Sequence, residues 1–155
     1  MAQRFVDDDR HLRAAIDHAL HDRPQAAAAE LTAITRKGPD FTYRLWQSLA
    51  ETAIWPIRYQ PPGGPRYGLT IFDEYAGIDI ADLPPHISLA MRFLAAQATR
   101  DRDQLETLFH DPLRAGFTGL LEDTLGVLLD AAVASARAQQ DHGTSGPGGT
   151  FGNGQ

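Results

Sequence analysis

Apolar residues recur every third or fourth position through nearly the whole chain, a spacing that favours amphipathic α-helices over strands. Leu12, Ala15, Ile16, Ala19 and Leu20 mark a helix over residues 8–21, with Phe5 and Val6 placed ahead of it as a hydrophobic staple. After Asp22-Arg-Pro-Gln25, with Asp22 suited to an N-cap and Pro24 to the first turn, Ala27, Leu31 and Ile34 mark a second helix. Lys37-Gly38-Pro39 ends it. Asp40 suits the cap of a third helix, residues 41–55, which carries Phe41, Leu45, Trp46, Leu49 and Ala53 and is expected to stop at Pro56. A fourth runs from Pro84-Pro85 to Arg100, with apolar residues on two faces, which predicts a central position. A short fifth helix carries Leu105, Leu108 and Phe109. Asp111-Pro112 is read as the start of a long sixth helix ending near Gln140.

Residues 56–83 break the pattern. Pro61-Pro-Gly-Gly-Pro65 is turn chemistry, and residues 57–60 and 67–72 are short enough to pair as a small hairpin. Residues 141–155 are glycine-rich and read as a flexible tail. The expected fold is therefore all-α: a six-helix bundle within residues 1–140, built from two helical hairpins around a Pro/Gly/aromatic insertion, followed by a disordered C-terminal tail. Asp22-x-x-Gln25 recurs as Asp101-x-x-Gln104 at an offset of 79 residues. Alanine-rich hairpins of this kind resemble the units of tetratricopeptide-like solenoids. The offset is far from the ~34-residue period of that family, and its Trp–Leu–Gly–Tyr signature is absent, so the expectation is a closed bundle.

Composition narrows the function classes. The chain has 155 residues, 43% of them hydrophobic, no cysteine and a formal net charge of −6. Disulfides, thiolate metal sites and cysteine nucleophiles are excluded. The acidic balance and the lack of a strongly basic helix argue against nucleic acid as a partner, leaving a dimeric DNA-associated regulator as the weakest reading. No apolar run approaches the ~18–20 residues of a membrane span, and the first nine residues lack a signal-peptide core. A soluble cytoplasmic protein is expected, with no membrane partner. Lys37 is the only lysine, and the excess of arginine and alanine matches coding from a high-GC, bacterial type of genome.

Chemistry-bearing motifs are sparse. His11, His18 and Asp22 share one face of the first helix, but His11 and His18 lie about 10 Å apart, too far for one ion. Glu106 and His110 at i,i+4 lack further ligands, and no Glu-x-x-His pair exists for a di-iron site. There is no Gly-x-Ser-x-Gly elbow and no phosphate-binding glycine loop. The expectation is a non-enzymatic chain with no cofactor, no metal and no catalytic residue. The insertion is the better candidate. Trp55, Arg58, Tyr59, Arg66, Tyr67, Phe72 and Tyr75 crowd into 21 residues, next to the acidic Asp73, Glu74, Asp79 and Asp82. Tyrosine, tryptophan and arginine anchor protein interfaces. Residues 56–82 are therefore read as a partner-binding segment of an adaptor-, chaperone- or inhibitor-like module. The alternative is a small α-helical enzyme or ligand sensor, whose pocket between the hairpins would be lined by Trp46, Trp55, Tyr59, Tyr67 and Tyr75, with Asp73, Glu74 or His86 as polar groups. The wide apolar arc of the sixth helix suggests a homodimer contact or a partner groove.

Overall fold

A computed structural model describes residues 2–58 and 75–145, with side chains over 8–57 and 75–140. The described residues form six α-helices: α1 (Ala2–Leu20), α2 (Pro24–Thr35), α3 (Pro39–Arg58), α4 (Pro85–Thr99), α5 (Arg102–Arg114) and α6 (Thr118–Ser145). A short 3-10 turn, Ile80–Asp82, precedes α4. No strand occurs among the described residues. The all-α bundle agrees with the spacing of apolar residues. No described helix is long and apolar enough to cross a membrane.

Several boundaries differ from those read in the sequence. α1 begins at Ala2, so Phe5 and Val6 lie inside it rather than ahead of it. α3 runs through Pro56 to Arg58. Proline there removes only the bond to the Thr52 carbonyl, in the last turn, and Pro56 is itself buried. That places Ile57 and Arg58 in a helix and not in a hairpin strand; the rest of the proposed hairpin lies outside the described residues. α5 likewise runs through Pro112 to Arg114, so Asp111-Pro112 is the end of one helix rather than the start of the next. The chain breaks instead at Gly116, whose φ is +80°. At its far end α6 continues past Gln140 to Ser145; residues 146–155 of the expected tail lie outside the described residues.

Three junctions use one device. At the α1–α2 corner the Arg23 N–H donates to the His18 carbonyl (2.8 Å) and the Asp22 N–H to that of Ala19 (3.1 Å). At the α4–α5 corner Asp101 donates to Ala96 (2.9 Å) and Arg100 to Gln97 (3.2 Å). At the α5–α6 corner Phe117 donates to Pro112 (3.0 Å) and Gly116 to Leu113 (3.1 Å). Each is a Schellman closure around one left-handed residue: Asp22, Arg100 or Gly116. The next residue, Arg23, Asp101 or Phe117, also accepts the first bond of the following helix. The corners therefore contain no spare residue. Asp101 caps α5 by accepting from the Gln104 N–H (3.2 Å), as its spacing implied. Asp22 does not cap α2; it holds the left-handed position, and the N-cap Arg23 makes no side-chain capping bond. The counterpart of Asp101 is thus Arg23, 78 residues away and one residue off the sequence match.

Arginine at the α4–α5 corner carries the Cβ crowding of a left-handed residue, which glycine lacks. Arg100→Gly is expected to stabilise the fold by about 1 kcal/mol, a rise of about 3 °C in melting temperature by calorimetry. An unchanged or lower value would mean that the Arg100 side chain makes a compensating contact.

The core lies where α3, α4, α5 and α6 meet. Trp46, Phe93 and Phe109 are completely buried, with Leu49, Ile54, Leu94 and Leu128 around them. Trp46 meets Phe93 and Phe109 nearly edge-on, with ring centroids 5.2 and 5.0 Å apart. Trp46 is therefore core, and not the wall of a ligand pocket. Tyr43 stacks beside this cluster against Phe109 and His110. Burial, reinforced by the Glu106 carboxylate, holds the Tyr43 phenol above the ordinary tyrosine range. α4 touches α3, α5 and α6, which gives it the central place its two apolar faces predict.

Candidate functional site

The position of the insertion is defined by its two ends. Trp55 and Ile57 stand on the last turns of α3, and Ile78 and Ile80 follow it before α4. All four are exposed, at 48%, 39%, 50% and 37%. Only one other large apolar side chain among the described residues is as exposed, Phe117 at 58%. Of the candidate partner-binding residues, Trp55 is at the surface, Arg58 is the last residue of α3, and Tyr75 packs partly buried against the core. Tyr59, Arg66, Tyr67, Phe72, Asp73 and Glu74 lie outside the described residues. Asp79 does a local job: its carboxylate accepts from the Ala81 N–H (3.1 Å) and caps the 3-10 turn.

Ile80 also begins a groove of about 740 Å³ between α4, α5 and the start of α6. Leu83, Leu89, Leu108 and Leu120 line it, and Phe117 stands at its rim. Of the exposed apolar residues bordering the insertion, Ile80 therefore lines a groove that Phe117 also lines. Ile78 and Ile80 are not singled out by the sequence, and Phe117, which helical spacing puts on the apolar stripe of the sixth helix, lies ahead of α6 and is exposed. The signal of the two isoleucines is weak, because isolated isoleucines in a loop look the same whether buried or exposed.

A second groove, of about 910 Å³, separates α2 from α6. Ala27, Leu31, Leu121, Leu125, Leu129 and Val133 supply its apolar lining. At one end the Arg137 guanidinium reaches the Ala19 and Leu20 carbonyls (both 3.4 Å) and the Asp22 carboxylate (3.5 Å). A cation at the C-terminus of α1 is favoured by its orphan carbonyls and dipole. Asp130 lies on the groove wall, and desolvation there raises its pKa above the ordinary aspartate range.

This shift fixes a pH dependence. The folded chain holds the Asp130 proton more tightly than the unfolded chain, so stability falls as pH rises through the window between the two pKa values. Asp130→Asn removes that penalty. The variant is expected to melt above the parent at neutral pH, with the gap closing below about pH 4. A constant gap across pH would show that the carboxylate is not the cause.

Two histidines of α1 meet one carboxylate of α2. His11 Nδ1 lies 2.7 Å from one Glu30 oxygen and His18 Nε2 3.7 Å from the other, so one carboxylate of α2 ties two turns of α1. Among the described residues no group of three such side chains is placed to hold a metal ion. Lys37 closes an ion pair with Asp8 and sits over the Phe41 ring, 5.4 Å from its centroid.

No family model matches this chain, and neither does any curated protein or solved structure.

Proposed function

We propose that this chain is a non-enzymatic protein–protein interaction module, engaging its partner through the surface that borders residues 59–74. One observation carries this reading. Four of the five most exposed large apolar side chains among the described residues sit at the two ends of that segment, and the fifth shares a groove with one of them. Exposed apolar residues gathered on one stretch of chain mark an interaction site more than singly scattered ones do. Asp73, Glu74, Asp79 and Asp82 add negative charge in the same stretch of sequence, which suits a partner with basic groups at its rim.

The test pairs Ile78→Asp with Ile80→Asp in one variant. Both side chains are exposed, so stability should change by no more than about 0.5 kcal/mol each. Native mass spectrometry of the chain captured from its host is expected to show a stoichiometric protein companion with the parent and none with the variant. A companion retained at full stoichiometry by the variant would sink the reading. A parent that emerges only as a homo-oligomer carrying a small-molecule mass would favour the ligand-sensor alternative.

A further inference from the structure

The groove between α2 and α6 has three properties that point the same way. Its apolar lining on α6, from Leu121 through Leu125 and Leu129 to Val133, runs for about 18 Å at the rise of a helix, enough to seat three turns of another helix. Its charges are unbalanced. Arg137 is engaged by Asp22 and the α1 carbonyls, and Glu122 and Asp130 have no basic partner among the described residues. Glu122, Gly126 and Asp130 stand one turn apart along a single line of α6, so these two carboxylates are about 12 Å apart along the groove and do not converge on one point.

The third property is Gly126. Glycine inside a helix costs roughly 1 kcal/mol against alanine. Close packing would explain one, but a Cβ on Gly126 would meet nothing within 4 Å. At Gly126 the space is open and belongs to the groove. A missing side chain in the middle of a wall leaves room for something that lies along it.

We infer that the α2–α6 groove receives a basic amphipathic helix of a protein partner, its apolar face on Leu31, Leu125 and Leu129, its backbone passing over Gly126, and a lysine or arginine meeting Asp130 and Glu122. The net charge of −6 gives the whole chain the sign that steers such a helix inward. This surface is distinct from the one bordering residues 59–74.

The probe is a fluorescein-labelled 14-residue helical peptide with leucines at i, i+3, i+4 and i+7 and lysines elsewhere. Its control is the same peptide with glutamate in place of every lysine. Anisotropy is read against the full chain and three variants. Gly126→Leu fills the open space with a good helix former, and Asp130→Asn removes one charge with little change of shape. Ile80→Asp reports on the other surface. The lysine peptide is expected to bind the parent and Ile80→Asp equally, about tenfold more weakly to Asp130→Asn, and not measurably to Gly126→Leu, with melting temperatures of all variants at or above about that of the parent. Equal binding of the glutamate peptide, or full binding by Gly126→Leu, overturns the inference. So does loss of binding in Ile80→Asp alone. Self-association of the parent that Gly126→Leu abolishes would assign the groove to a second copy instead, and would also overturn it. Only the Ile80→Asp arm bears on the surface that borders residues 59–74; the other outcomes leave capture through Ile78 and Ile80 untouched.

Discussion

Trp46→Ala is expected to bring the fold to the edge of unfolding. The indole is completely buried, and it is the one side chain of α3 in edge contact with both Phe93 of α4 and Phe109 of α5. Truncating a buried tryptophan costs about 3–5 kcal/mol through lost transfer energy and the cavity left behind. Natural domains have only about 5–15 kcal/mol in total. Urea denaturation followed by circular dichroism should show the midpoint collapse, or no cooperative transition at all. Trp46→Phe is the instructive companion. The indole N–H has no acceptor among the described residues, so phenylalanine removes an unsatisfied donor while keeping two aromatic contacts. Its cost should be well under half that of alanine. If alanine left the midpoint within experimental scatter of the parent, the three rings would not be the core described above.

Gly38→Ala should lose less than Trp46→Ala, but still a large share of the stability, with no cavity involved. Nothing lies within 4 Å of a Cβ built on Gly38, so the space is free. The backbone is the obstacle: φ is +123°, where residues with an L side chain are strained. Pro39 follows and restricts the residue before it, so Gly38 cannot relax by rotating into the right-handed region. The Gly38 carbonyl is also held by the Thr42 N–H and the Thr42 hydroxyl, both at 3.1 Å, at the start of α3. Strain of this kind costs about 1–3 kcal/mol. A D-alanine at position 38, introduced by semisynthesis, has the mirror preference and should restore the parent's melting temperature. Equal loss with both enantiomers would show that φ is not the cause.

These two positions show what the sequence makes legible. Trp46 is the kind of residue that helical spacing assigns correctly to a buried stripe, and the stripes of α1, α2 and α4 follow the same logic. Periodicity reports a face, not what covers it. The same spacing led to Trp46 as a pocket wall, and left the groove between α2 and α6 visible only as an apolar arc too wide for one partner. α2 and α6 are far apart in the chain, so no local pattern shows that Leu31 faces Leu125. Prolines misled for a related reason. Pro56 and Pro112 forbid one hydrogen bond each, which a last turn tolerates, whereas the real stop at Gly116 depends on a left-handed residue and the two bonds that close around it. Asp22 and Asp101 look equivalent by spacing and differ in role by one residue of register. At the insertion, the exposure of Trp55 follows from its place near the end of α3, while the partial burial of Tyr75 depends on packing that composition does not encode.

The lone lysine has a consequence for how this chain can be watched and modified. Any chemistry that needs an ε-amine, from acylation to isopeptide tagging, has a single address, Lys37. That amine is held by Asp8 of α1 from its place between α2 and α3, and only about a quarter of its side chain is open to solvent. A reagent therefore meets a free amine only when the Lys37–Asp8 ion pair is open. The acylation rate at Lys37, divided by that of a free lysine analogue with the same reagent, reports the free energy of that local opening and is readable by mass without mutation.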